Sequence, residues 1–275
     1  MSTLPHTSYD IRTKRFARET LTKLSGVPIS VWMQSRVRES GYQHPEDFVA
    51  DIIESHGCLP CSYKNFEFVY FHVSTSSNGC SAIWKYGLLN LKQVYLSIDS
   101  ELRVFFDQHD IKFDFDTRIM IYRDRGYDIS YGACPKQNTE AHNRWLIGRK
   151  FFYDFATCGF LSVPERNPYG GQVHQRPEIL RNVDSLLGLN LSRDWMKTHE
   201  AYEITAKVSG EKIVYDGYDD QSDSEMVLNY LTKAYLTAFS EPLENVLRIK
   251  NHIQIPPSDV LEILPLQHWK NDTCR

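Results

Sequence analysis

The sequence predicts an α+β fold, and three observations predict it. Strand-like runs and runs of helical period are segregated along the chain rather than strictly alternating. Neither G-x-G-x-x-G nor G-x-x-x-x-G-K-[ST] occurs, so the usual dinucleotide and P-loop devices of a doubly wound sheet are missing. The 275 residues, 41% hydrophobic and 24% charged, suffice for one large domain with a full core, or one domain with a small extension.

The elements follow in order. "HPEDFVADIIESHG" sets Phe48, Val49, Ile52 and Ile53 at helical spacing, with Gly57 to end it. "FEFVYFHVST" is aromatic and β-branched, the best early strand. "GCSAIWKYGLL" places Ile83 and Tyr86 on one face of a short helix, with Gly87 as its stop. "SIDSELRVFFDQHD" opens on a Ser or Asp cap and reads as a helix. "KFDF" and "RIMIYRD" read as short strands, and "RGYDISYGACPKQN" as a turn-like segment. A long helix is expected in "TEAHNRWLIGRKFFYDFATC" and a short strand in "GFLSV". "PERNPYGGQVHQRP" is a loop dense in Pro and Gly. "EILRNVDSLLG" is helical, and "AYEITAKVS" and "EKIVYDG" are strands. "SDSEMVLNYLTKAYLTAF" is an amphipathic helix capped by Ser222 or Asp223, with Leu228, Leu231 and Tyr235 on its buried side. "NVLRIKNHIQIPPSDVLEILPL" supplies the last strands.

Composition narrows the function classes. Net charge is −4, so nucleic-acid binding would need a local basic patch. Aromatics reach 13%, enough to furnish a core and to stack on bases. No run approaches a membrane span, and "MSTLPHTSYDIRTKRF" lacks a secretory signal's apolar stretch. The basic cluster Arg12, Lys14, Arg15 and Arg18 reads as a solvated helix face. Six scattered cysteines read as reduced thiols, so the expected location is cytoplasmic.

Two metal-like patterns fail on spacing. His56, Cys58 and Cys61 hold half of a zinc site, but no second close pair completes four ligands. His44 and Glu46, followed by Pro60-Cys61, approach the zinc deaminase signature, yet Lys64 stands where the second cysteine belongs. No metal is therefore expected. A zinc-dependent deaminase or nuclease is kept only as an alternative.

The most informative stretch is "FHVSTSSNGCSAIWKYGLL". His72 closes an apolar run, and small hydroxyl residues follow at a strand-to-helix junction. One reading is structural: Ser76, Ser77 or Asn78 caps the helix, and His72 is a satisfied core histidine. The other sets an imidazole, a backbone edge and a glycine turn around one crevice.

This stretch resembles the first motif of the ADP-ribosyltransferase fold, and is similar to that of nucleic-acid-targeting ADP-ribosyltransferase toxins and of RNA 2'-phosphotransferases. The resemblance covers about twenty residues and implies a split-sheet core flanked by helices, with NAD in a cleft. It implies that His72, Val73, Ser74, Thr75 and Gly87 contact NAD, with Ile83 and Leu88 completing the pattern. A second motif, on a strand before a helix, falls on "GFLSVP" with Phe160 and Ser162, or on "VYLS" with Tyr95. A third motif, a catalytic glutamate opening a late strand, falls on Glu244 in "SEPLENVLRI". Glu241 neighbours it, and Asn245 intervenes before the apolar pair. Aligning "KNHIQIPP" instead puts His252 at the glutamate position.

A further candidate is Glu178 in the loop carrying Tyr169, Gly170, Gly171, His174, Gln175 and Arg176. Gly-Gly allows close backbone approach, and Arg176 can clamp a phosphate. Equally, Pro177 and Glu178 can simply begin a helix. The resemblance thus implies residues 1–62 as a helical N-terminal extension and 63–275 as the catalytic domain. The implied activity transfers ADP-ribose from NAD to RNA, DNA or protein, as in a bacterial toxin or phage-defence effector held silent by an antitoxin or chaperone. An NAD glycohydrolase and a catalytically inactive NAD-binding module are the alternatives within the fold.

Overall fold

The computed structural model describes residues 7–154, 156–164, 169, 172–215, 217 and 220–266. In chain order the elements are β1 (Thr7–Asp10), α1 (Lys14–Ser25), α2 (Ile29–Ser35), α3 (Pro45–His56), β2 (Phe66–Ser76), α4 (Ser81–Tyr86), α5 (Leu91–Leu96) and α6 (Glu101–Gln108). Then come β3 (Ile111–Asp114), β4 (Ile119–Tyr122), β5 (Arg125–Asp128), α7 (Glu140–Phe152), β6 (Cys158–Ser162), α8 (Glu178–Leu187) and α9 (Leu191–Met196). The chain continues through β7 (Glu200–Ser209), β8 (Ile213–Val214), α10 (Asp223–Phe239), β9 (Asn245–Ile249) and β10 (Val260–Pro265). The fold is α+β, with seven strands in one sheet and three in another.

The chain divides into two compact units. Unit 1 holds residues 1–72, 158–168 and 205–250, and unit 2 holds 73–157, 169–204 and 251–275. In unit 1, strands β2, β6, β9 and β8 are successive neighbours, and β1 pairs in parallel with β2. Helices α1 and α3 pack on α10. The even-numbered residues of β2, Phe66, Phe68 and Tyr70, are buried. Phe68 lies 4.9 Å from the Tyr9 ring and 4.9 Å from that of Tyr230. Tyr9 also donates to the Tyr230 carbonyl at 2.8 Å. Such aromatic packing adds about 0.5–1.5 kcal/mol per pair beyond the area buried.

Local chemistry sets the helix ends. Thr13 caps α1 by accepting from Phe16 N, and Gly26 ends it in the left-handed region. Ser222 and Glu225 form a capping box at α10. Of the apolar stripe expected on that helix, Leu231 and Tyr235 are buried, whereas Leu228 is only half-buried. Val227 and Tyr230 take the inward positions instead.

Unit 2 is built around Tyr95, Phe106, Phe113, Met120, Ile147, Phe151, Leu180 and Trp195. The antiparallel sheet β3-β4-β5 lies in this unit. "RGYD", expected as a turn, is strand β5, because Tyr127 pairs with Met120 and buries its ring. Gly87 ends α4 at φ 78°. A Cβ there would sit 1.8 Å from the Ile255 carbonyl oxygen, so the turn requires glycine.

Two expectations about organisation change. Residues 7–62 are not helical alone: β1 joins β2, and α1 and α3 pack on α10 within unit 1. The alternative alignment through "KNHIQIPP" puts His252 in a turn after β9, not at the mouth of a strand.

Candidate functional site

The motif stretch divides after its second residue, and the two parts meet different partners. His72 belongs to unit 1. Its Nδ1 lies 2.7 Å from the Cys158 carbonyl oxygen. A carbonyl only accepts, so Nδ1 carries the proton, and the neutral ring keeps its Nε2 lone pair as an acceptor. Burial pushes the imidazole pKa below its usual value, partly opposed by the Cys158 carbonyl. The group is a neutral, oriented acceptor at the end of an aromatic strand face.

Strands β6 and β9 complete the unit 1 face. Phe71 pairs with Phe160, which places His72 opposite Gly159. Phe160 pairs with Val246 but Ser162 with Asn245, so an irregularity lies between Phe160 and Ser162. This bulge turns Ser162 and Asn245 to the same face of the sheet as His72. Ser162 is fully buried. Its hydroxyl donates to the Leu243 carbonyl at 2.8 Å and accepts from Asn245 Nδ2 at 2.7 Å. Glu244 lies between these two anchored neighbours and is exposed. A solvated carboxylate on pinned backbone is well placed to meet a ligand. His72 and Asn245 are two strands and two residues apart, on the order of 12 Å.

In unit 2 the hydroxyl run is used internally. Val73 is buried and Ser74 half-buried. Thr75 Oγ1 accepts from the buried Trp195 indole at 2.8 Å. Ser76 donates to Glu101 Oε2 at 2.8 Å, and accepts from Asn78 N and Cys80 N at 3.1 and 2.9 Å. Ser77 reaches Glu101 Oε1 through its backbone N at 2.7 Å and also through its hydroxyl. One carboxylate therefore fastens the turn between β2 and α4. His199 stacks on Trp195, with ring centroids 3.4 Å apart. Its Nε2 lies 3.9 Å from Glu101. Burial pushes the His199 pKa down, against the Trp195 carbonyl and Glu101, which raise it. Burial also pushes the Cys80 thiol up to about 12, so it is inert as a nucleophile.

The remaining expected residues sit as follows. Tyr95 lies in helix α5, not on a strand, because Asn90 and Gln93 form a capping box that starts a helix there. Its ring is buried among Phe106, Phe113 and Phe151, and its hydroxyl accepts from Phe113 N at 3.1 Å. Glu178 begins α8 and pairs with Lys150 at 2.6 Å. Burial alone would lower the Lys150 pKa, but Glu178 and Asp154 outweigh it and raise it. Arg176 is buried, and burial with the neighbouring Arg181 pulls its pKa down. Gly170 and Gly171 lie outside the described residues. Cys58 and Cys61 are exposed free thiols. Among the described residues, no group of three His, Cys, Asp or Glu side chains could hold a metal ion. No helix among them is long and apolar enough to cross a membrane.

Sequence reasoning missed Glu101, Trp195 and Asn245. The bonds of Glu101 and Trp195 to the motif span 24 to 120 positions, so no local spacing marks them. Asn245 was visible only as the residue that separates Glu244 from the apolar pair. Comparison with protein-family models, with curated proteins and with solved structures finds no match to this chain.

Proposed function

We propose that this protein is an NAD-dependent ADP-ribosyltransferase whose reactive groups lie on and beside strands β2, β6 and β9 of unit 1. The observation that carries the reading is the exposed Glu244, which immediately precedes β9 between the anchored Leu243 and Asn245, in the same unit as the oriented His72. NAD would supply the glycosidic bond to nicotinamide. His72 accepts a hydrogen bond from a substrate hydroxyl through Nε2. Glu244 accepts a ribose hydroxyl and sets its negative charge against the positive charge that develops as that bond breaks. Ser162 is a positioning residue that acts through the backbone of Leu243. The acceptor is RNA, DNA or protein, and the biological setting implied by the resemblance is a toxin or defence effector with a silencing partner.

A second reading has its own support. Asn245, not a carboxylate, occupies the position beside Ser162 on the His72 face. That favours an inactive NAD-binding module. Nicotinamide release by purified protein, with and without RNA, DNA and protein, separates the readings. Release that depends on one acceptor class supports a transferase and names its target. Release without any acceptor supports an NAD glycohydrolase. Binding of NAD without release supports the inactive module.

A further inference from the structure

Helix α7 carries an aromatic stripe on the side away from its core. Its inner positions are the buried Ile147, Gly148 and Phe151. Its outer positions are His142, Trp145 and Arg149, three and four residues apart, with Tyr153 one turn further. Tyr131 stacks between two of these rings, 5.4 Å from Trp145 and 4.9 Å from Tyr153, at 28° and 13°. His142 continues the stack on Trp145 at 16°. The result is a ladder of four near-parallel rings. Tyr153, its end rung, is 52% exposed. Trp145 donates to the Gly132 carbonyl at 2.8 Å, which fixes the loop that carries Tyr131. Holding that loop explains Trp145, but not a half-exposed ring left at the end of the stack.

Charge supplies the second, independent observation. From Lys112 to Asp154 there are eight basic and six acidic residues, a net of +2 within a chain of net −4. Arg118, Arg123, Arg125 and Lys136 are exposed. Arg118, Arg123, Arg125 and Arg149 each lie over an aromatic ring, at 4.6 to 5.8 Å from the centroid. Arg125 and Arg149 also pair with Glu140 and Asp154. Four of the ten such pairs among the described residues fall in this short span. Guanidinium planes held over rings are pre-organised for phosphate and for base faces.

We infer that this surface of unit 2 is a binding platform for single-stranded nucleic acid. An unpaired base extends the ring ladder from Tyr153, and Arg118, exposed and 5.0 Å over the neighbouring Phe152 ring, takes a flanking phosphate. A proline-rich peptide also docks on aromatic ladders, but it would gain nothing from the local positive surplus. The inference stands whether or not NAD is cleaved, because binding is read without NAD.

The test is fluorescence anisotropy of labelled single-stranded dT and rU 12-mers with the full chain, at several salt concentrations. The expected result is binding in roughly the 1–100 µM range, with a log–log salt slope of about −2 for some three neutralised phosphates. Tyr153→Ala should weaken binding about tenfold. Arg118→Glu should weaken it and flatten the salt slope. Trp145→Ala can disturb the loop, so the half-exposed Tyr153 is the deciding variant, with circular dichroism to confirm the fold. A preference for dT or rU names the sugar. No binding at low salt, binding untouched in Tyr153→Ala, or capture of a proline-rich peptide with no oligonucleotide bound would each overturn the inference.

Discussion

In unit 2 the hydroxyls of the motif are bonded inward, whereas in unit 1 the motif's half-buried histidine keeps its Nε2 acceptor and the late glutamate is solvated. Thr75 satisfies a buried indole, and Ser76 and Ser77 are fastened to Glu101. His72 uses only its Nδ1–H on the Cys158 carbonyl, and Glu244 is solvated between anchored neighbours. The contrast teaches that one short motif can serve two purposes. Its first part can present an acceptor to a ligand, while its second part builds the turn that follows. A hydroxyl-rich run at a strand end therefore says less about ligand binding than the single histidine before it.

The contrast can be broken most sharply at Glu244. Glu244→Gln should lower nicotinamide release about 10²- to 10³-fold, the usual effect of removing one electrostatic stabiliser of a transition state. Its melting temperature should stay at the wild-type value, since the side chain is exposed. Retained turnover would move the catalytic assignment to Glu178. Gly87→Ala tests the other side of the contrast. The φ of 78° and the approach to the Ile255 carbonyl should together cost at least about 3 kcal/mol in denaturant unfolding.

Thr75→Val has a smaller expected effect. It leaves the buried Trp195 N–H unsatisfied, which costs about 1–3 kcal/mol and lowers Tm by roughly 2–8 °C. Turnover per folded molecule should be kept. The smallest effect concerns pH. The folded-state pKa of His72 lies below its usual 6.5, because burial disfavours the charged ring. Below pH 6.5 the unfolded chain therefore binds a proton that the folded chain resists. Stability is whole above pH 6.5 and falls as pH drops through that value towards the folded pKa. His174 and His199 share this direction, both through burial. Thermal melts between pH 7.5 and 5 should show the fall, and His72→Gln should flatten it slightly.

Much of the fold was legible because local signals agree with it. Strand β2 has the aromatic and β-branched run, α3 the helical spacing, and α10 the capping box. The failures have physical causes. "VYLS" has strand composition, but the Asn90–Gln93 box just before it starts a helix. "RGYD" looks like a turn until Tyr127 finds the Met120 side of the sheet. The candidate site was legible only in part. His72 and Glu244 could be named from the resemblance. The hydrogen bonds that pin Glu244 join residues 81 and 83 positions apart, which no window of sequence reveals. The role of Glu101 was hidden for the same reason.

The most direct test is the rate of nicotinamide release by folded His72→Ala, measured beside Thr75→Val and the wild type. The account predicts a fall of about tenfold or more for His72→Ala, the loss of one substrate hydrogen bond, with Thr75→Val at the wild-type rate per folded molecule. Full release by His72→Ala, or loss of release in a folded Thr75→Val, would contradict it.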